Sequence, residues 1–418
     1  TTGSQNTALG FNSLPSNTTA ASNTAIGYGA LLTNTTGAES VAVGKDALYT
    51  NNASNNTAVG TECMKLTTSG TQNAAFGKAA MITNTSGNYN TALGPYSLKL
   101  NSTSDSNTAV GYEALMNCTG QENVAMGYKA GYNHTTAANG IYIGMRAGYG
   151  ANSTGHTNIY IGNDVAYGAT TGYNNIILGS NAGYAVGSGA ENVMMGLLAG
   201  RYAANNNYNT FLGSRAGYAA TSNNNVCIGA YGASELTSGT GTVIIGYNAQ
   251  PYTASTSNEI ILGYSTKGVG AAHITIGVSS GSDRIYNNPS SNASWTRVSD
   301  ERYKDNIQDN TDCGLNFIND LRPVTFKFKA LADIDDSLPD YDAEATERKH
   351  ECKHYGLIAQ EVKTALDKHN ITDFAGWDQK DGIQAISQEM FVNPLIKAVQ
   401  ELTTRLEAAE AEIKTLKG

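Results

Sequence analysis

The sequence predicts a mainly β protein: a trimeric parallel β-solenoid with turns of about 17 residues, followed by a smaller α+β domain that ends in a coiled coil. Three observations predict it. Seventeen glycines, from Gly10 to Gly277, recur at steps of 16 to 18 residues, with a final step of 14. Charged residues are sparse before residue 280 and frequent after it, where helical periodicity replaces the short strand pattern. The chain closes on apolar residues spaced 4, 3, 4, 3, 4 and 3 apart.

Each glycine ends a segment such as Asn6-Thr7-Ala8-Leu9-Gly10 or Asn107-Thr108-Ala109-Val110-Gly111. The residue before the glycine is apolar in all seventeen copies, and Asn stands four before it in twelve. A unit this short cannot hold a helix pair and lacks helix formers, so it fits one coil of a parallel solenoid. Asn tolerates left-handed backbone angles and its amide can stack on the Asn of the next coil, while Gly permits positive φ; both mark corners. At roughly 4.8 Å per coil, the repeats make a rod on the order of 80 Å long.

The core of a coil is expected to be thin. In the first half only one strand position is large and apolar (Leu9, Ile26, Val43, Val59, Phe76, Leu93, Val110), with Ala before it. Such a coil cannot offset its own ordering entropy, so lateral association is expected, with several chains turning their apolar lines toward a common axis. Near residue 127 the repeat changes: Leu or Met four after the glycine (Leu14, Leu31, Leu48, Met64, Met81, Leu98, Leu115) gives way to Ala-Gly-Tyr groups such as Ala130-Gly131-Tyr132 and Ala182-Gly183-Tyr184. Strand residues enlarge there, as in Ile159-Tyr160-Ile161, so the distal half is expected to pack more tightly around a tyrosine ladder. The strand and turn resemble the head of trimeric autotransporter adhesins, a trimeric β-roll, although those coils are shorter.

With 26 basic and 35 acidic residues, a net charge of −9 and no basic stripe, nucleic acid is not expected as a partner. Five cysteines (Cys63, Cys118, Cys227, Cys313, Cys352) lie far apart without a Cys-x-x-Cys pair, which points to reduced thiols rather than a disulfide framework or zinc ribbon. No run of about 18 apolar residues exists to span a bilayer, so membrane insertion is not expected. Because Thr1 falls inside a repeat, the repeats are expected to continue upstream, where a virion-attachment region would lie.

The repeat shaft is assigned to 1–280 and a polar linker to 281–298; a second domain then runs over 299–394 and the coiled coil over 395–418. The second domain opens Ser299-Asp300-Glu301-Arg302-Tyr303-Lys304-Asp305-Asn306-Ile307 and contains Leu321-Arg322-Pro323-Val324-Thr325-Phe326 and Tyr355-Gly356-Leu357-Ile358-Ala359-Gln360-Glu361-Val362. These three ordered motifs resemble the self-cleaving intramolecular chaperone domain of phage tailspikes and tail fibres, also found in the myelin regulatory factor. The resemblance marks Asp300, Arg302, Gly356, Ala359, Gln360 and Glu361 as family-motif residues. It implies a Ser299–Lys304 dyad and a cut between Val298 and Ser299.

A serine hydroxyl needs a base to become nucleophilic, and a lysine serves only if burial or nearby positive charge lowers its pKa. Arg302 is one such charge, or a structural ion-pair partner. Read without the resemblance, Ser299-Asp300 also suits a helix N-cap with Lys304 on a solvated face.

Val399, Leu406 and Ile413 at a, with Leu395, Leu402, Ala409 and Leu416 at d, read as a short parallel coiled coil; the alternative is a helix lying on its own domain. The strand number, three, comes from the family resemblance. Nearly identical repeats make misaligned coils almost as stable as aligned ones, so a C-terminal trimer would set the register before cleavage removes it.

Neither a cofactor nor a metal is expected: His350-x-Cys352-x-His354 alternates on a charged segment. Sequons at Asn17, Asn34, Asn84, Asn117 and Asn133 follow from turns rich in Asn and Thr. The tyrosine ladder serves either packing between coils or carbohydrate stacking. The leading expectation is a virion tail fibre that meets a host cell-surface receptor, a glycan among the candidates, without other enzymatic activity in its repeats. The alternatives are a polysaccharide-degrading tailspike, against which the few, irregularly placed acidic residues argue, and a cellular adhesin or extracellular filament carrying the same module.

Overall fold

The structure, a computed structural model, describes residues 2–150, 153–279, 283–289, 296–297, 301, 304–338, 341–348, 352–380 and 382–417. Two compact units divide at 303/304. In the first, seventeen three- or four-residue strands run from β1 (Thr7–Leu9) to β17 (Ile274–Gly277), each pairing in parallel with the next. The register equals the repeat: Thr7 lies opposite Thr24, Ala8 opposite Ala25 and Leu9 opposite Ile26. Seventeen strands define about sixteen turns rather than seventeen, because β17 is followed by β18 (Arg284–Asn287) and β19 (Thr296–Arg297), which pair antiparallel and end the stack. The span read as a linker thus supplies strands to the sheet.

Which strand residue forms the core differs from the simplest reading of the repeat. The middle residue points inward: Ala25, Ala42, Ala58, Tyr142, Ile177 and Phe211 are all fully buried. The large apolar residue before each glycine faces outward, with Leu9 at 67% and Leu93 at 48% exposure. Strand alternation requires this: once the residue two before the glycine faces in, its neighbours on both sides face out.

The interior is completed by the residue four after the glycine, and the two positions trade volume. Proximal turns pair a small strand residue with a large corner residue, as in Ala25 with Leu31, Ala58 with Met64 and Ala109 with Leu115, all fully buried. Distal turns reverse the pair: Tyr142 with Gly148, Ile177 with Gly183, Met194 with Gly200, Phe211 with Gly217. A Cβ at Gly183 would stand 2.7 Å from Ile177 Cδ1, and one at Gly217 2.6 Å from Phe211 Cδ1. The corner is left-handed in both halves, at φ +51° for Leu31 and +57° for Gly217, so the proximal turns accept backbone strain in exchange for a filled core.

The repeating glycine is required twice over. Gly60 has φ +141°, and a Cβ there would lie 2.4 Å from the Gly77 carbonyl oxygen of the next turn. The recurrent Asn is not the left-handed corner; the residue before it is, as at Ser22 (φ +62°) and Gln72 (φ +58°). The Asn side chain forms the ladder: Asn73 Oδ1 accepts the Asn90 backbone N–H at 3.0 Å, and Asn73 Nδ2 donates to the Gly87 carbonyl at 2.8 Å. Two of the sequon residues, Asn34 and Asn84, are fully buried with their amides bonded to the Gly37 and Gly87 carbonyls.

The tyrosine ladder stacks Tyr132, Tyr149, Tyr167 and Tyr184 with centroids 5.2, 5.0 and 5.1 Å apart. Lys129 lies over the ring of Tyr132 at 5.1 Å and Arg201 over that of Tyr184 at 5.2 Å. Ring faces along the stack are therefore occupied by other rings or by cations, which is packing between coils.

The second unit contains α1 (Leu315–Asp320), β20 (Val324–Phe326), β21 (His354–Gly356), α2 (Ala359–Lys368), β22 (Trp377–Lys380), β23 (Ile383–Ile386) and α3 (Val392–Lys417). Two antiparallel hairpin pairs, β20 with β21 and β22 with β23, flank a core of Phe317, Val362, Ala365 and Leu366. Among the described residues no helix is long and apolar enough to cross a membrane.

The volume trade predicts a rescue. Phe211→Ala should cost about 3–5 kcal/mol, and adding Gly217→Leu, which recreates the proximal pair, should recover more than half of it in denaturant unfolding. Equal instability of the single and double variants would contradict this account of the core.

Candidate functional site

Of the residues assigned to cleavage, Val298, Ser299, Asp300 and Arg302 lie outside the described residues; Lys304 is described and exposed. The other two motifs are brought together. Val324 pairs with Gly356, Thr325 with Tyr355 and Phe326 with His354, so the Pro-Val segment and the Tyr-Gly segment are the two strands of one hairpin. A Cβ at Gly356 would approach Gln388 Nε2 to 2.8 Å and Phe326 Cε1 to 3.4 Å, so a side chain there would displace only the end of Gln388. Pro323, Val324, Tyr355, Leu357 and Phe391 line a groove of about 350 Å³ beside this hairpin.

Chain direction then turns into α2, whose first residue is Ala359. Gln360 is exposed, and its carbonyl accepts the Thr364 hydroxyl at 2.9 Å. Glu361, in the first turn, receives a two-pronged bond from Arg322: Nε donates to Oε2 at 3.0 Å and an Nη to Oε1. The guanidinium holds the Glu361 carboxyl below the usual carboxylate range. The pair joins two motifs 39 residues apart, a link that the linear sequence did not signal.

The terminal helix meets its own unit on one face and leaves another bare. Pro394 and Ala398 are buried, and Glu401 Oε2 accepts the Leu315 backbone N–H at 2.9 Å, capping the start of α1. The heptad residues are exposed: Leu395 at 52%, Val399 at 54%, Leu402 at 55%, Leu406 at 58%, Ile413 at 50% and Leu416 at 83%, with Ala409 exposed as well. The seam is thus separate from the face that packs on the domain. Glu401 as a helix cap was not foreseen, since its partner lies 86 residues away.

His350 lies outside the described residues; Cys352 Sγ approaches His354 Nε2 to 3.4 Å, and the His354 ring stacks on Phe326. Among the described residues no group of three or more His, Cys, Asp or Glu could hold a metal ion. The buried thiols are unreactive: burial pushes Cys63 up to about 12 and Cys118 up to about 11.

Residues 299–371 match the family described as chaperone of endosialidase. The matched span begins at Ser299 and contains the hairpin, the Arg322–Glu361 pair and α2, and it ends before α3. No curated protein and no solved structure matches the chain.

If the Arg322–Glu361 fork fixes α2 on the hairpin, Glu361→Arg should lower the melting temperature of the C-terminal unit, and adding Arg322→Glu should restore part of the loss. The pair stabilises above the ordinary carboxylate range, and its contribution falls away as pH drops through the lowered Glu361 value. A double variant no better than the worse single one would show that the two residues do not act together.

Proposed function

We propose that this chain is a trimeric fibre shaft, of the phage tail-fibre kind, that serves host attachment and is matured by its C-terminal domain. The observation that carries the reading is the chaperone of endosialidase match over 299–371, directly after a solenoid. The outward strand positions support trimerisation. Among all seventeen strands they carry no charged residue, and apart from Ala74 and six threonines every one is Val, Ile, Leu, Met or Phe. An apolar face this long in a single chain calls for a partner of the same length and pitch, which another copy of the chain supplies. The exposed heptad seam on α3 calls for the same partner.

In this reading Lys304 takes the Ser299 hydroxyl proton while Oγ attacks the Val298 carbonyl carbon. The C–N bond breaks as Lys304 returns the proton to the Ser299 amine, leaving an ester between Val298 and Ser299 Oγ. Water then hydrolyses the ester, so the shaft ends in the Val298 carboxylate and the released domain begins with Ser299. Proximity within one chain supplies much of the acceleration, and a single turnover is enough. Loss of the template after assembly leaves a rod without an easy route to unfolding, so its persistence is kinetic.

Mass spectrometry under denaturing conditions tests the cut. Wild type should yield two fragments that meet at 298/299, whereas Ser299→Ala and Lys304→Ala should stay full length yet still fold. Identical full-length mass for all three after prolonged incubation would remove the dyad from the account. Light scattering tests assembly: the wild-type precursor should be a trimer, and charged residues placed at both Leu402 and Leu406 should leave the shaft unassembled, because six like charges would meet on the axis. A wild-type monomer, or a repeat region that trimerises equally well alone, would overturn the template role.

A further inference from the structure

The two kinds of core meet in the turn of Ala125, where both volume positions are small: Ala125 on the strand and Gly131 at the corner. Upstream turns fill this space with Leu or Met, and downstream turns, apart from that of Cys227 and Ala233, fill it with a large strand residue. Here Leu115 from the turn before and Tyr142 from the next strand close on it, 2.7 and 3.0 Å from where a Gly131 Cβ would stand, and the His134 imidazole packs against Tyr142 with centroids 4.0 Å apart. A Cβ at Gly148 would lie 2.8 Å from His134 Nε2 and 2.9 Å from the rings of both Tyr142 and Tyr160, so the imidazole is clamped among aromatic carbon.

His134 is fully buried; with the Gly148 carbonyl lying nearby but out of good geometry, neither ring nitrogen makes a well-formed hydrogen bond. The same holds for Tyr142 Oη and for Ser153 Oγ, whose residue bridges to His134. At the equivalent place of upstream turns stand Asn34, Asn84 and Asn101, whose amides bond to backbone carbonyls three residues on, also Thr67, whose buried hydroxyl meets no partner, and, one turn before His134, Cys118, whose thiol lies 3.5 Å from the Gly120 carbonyl. Downstream it is apolar: Ala169, Val186, Ala203. His134 therefore sits where a mostly polar column gives way to an apolar one, and it is the one ionisable imidazole placed there.

We propose that this junction is an acid-operated weak point of the shaft: protonating His134 opens the stretch from Gly111 to Gly148, the turn of Cys118 included, while turns farther along the shaft stay folded. Among the described residues, no counter-ion faces the imidazolium. The groups around it are the phenols of Tyr142 and Tyr160 and, through Tyr142, the Cys118 thiol; burial raises all three, so they stay neutral in acid and none offers a negative charge. Burial pushes the imidazole down to about 4, the nearby Gly148 carbonyl offsetting part of the cost. In the unfolded turn it titrates near its ordinary value of about 6.5. The open form therefore binds more protons between these limits; the contribution to stability is whole above the upper value and falls as pH drops toward the lower one.

Three buried thiols report on opening: Cys118 beside the junction, with Cys63 and Cys227 elsewhere in the shaft, all fully buried. The full chain is labelled with dithiodipyridine, which reacts with thiols down to acid pH, and each site is quantified by peptide mass spectrometry at about pH 7.5 and about pH 4.5. Cys118 should accelerate on the order of tenfold to a hundredfold relative to Cys63 and Cys227. His134→Asn, which restores the upstream residue type, should label with the same ratio at both pH values. Acceleration of all three thiols together, no acceleration of Cys118, or acceleration that persists in His134→Asn would each overturn the proposal. The three-thiol comparison in the wild type decides even if the variant does not fold.

Discussion

Every residue of the shaft sits on its own equivalent one turn away, and this in-register stacking constrains everything else in the first unit. A side chain is tolerated only if it can bear a copy of itself, or a deliberate substitute, at one strand spacing. Asn satisfies the condition because its amide carries both a donor and an acceptor: Asn90 accepts from Asn107 as Asn73 accepts from Asn90. Tyrosine satisfies it by stacking rings. Glycine satisfies it by having no Cβ to collide with the next turn's carbonyl.

Charge does not satisfy it, and the exceptions show how the constraint is met. Asp46 and Glu62 occupy the same place on adjacent turns, where two carboxylates repel; Lys65 reaches both, at 3.5 and 2.9 Å. Elsewhere in the column opposite charges pair between adjacent turns: Glu113 with Lys129 at 3.3 Å and Arg146 with Asp164 at 2.7 Å. These partly exposed pairs add little stability each, but they remove the repulsion that a uniform repeat would build up.

The same stacking holds the interior to a nearly constant volume per turn, because adjacent turns cannot differ in girth without breaking the ladder. The two halves meet that limit in opposite ways, with the bulk mostly at the corner upstream and on the strand downstream. Where the two solutions abut, in the turn of Ala125 and Gly131, Leu115 and Tyr142 from the turns on either side close the space, and an imidazole packs on Tyr142. The C-terminal unit obeys different physics. Its motifs are separate in the chain and are joined by a β-pair and an Arg–Glu fork, so its geometry depends on contacts of long sequence separation.

What the sequence determined by itself was the period, the class of fold and the position of the chaperone-like motifs. Covalent spacing and the special backbone needs of glycine leave those few alternatives. The heptad seam was equally legible, since its spacing is local. Direction and partnership were decided only in three dimensions. Whether Ala25 or Ile26 faces the interior depends on the parity of the strand relative to its corner, which a repeat shows as a pattern without an inside. The exchange of Leu31 for Phe211 as the source of core volume depends on two positions that meet only across the turn. Arg322 with Glu361, and Glu401 with the start of α1, are pairings across 39 and 86 residues. No local propensity encodes them, because each exists only once the chain has folded back on itself.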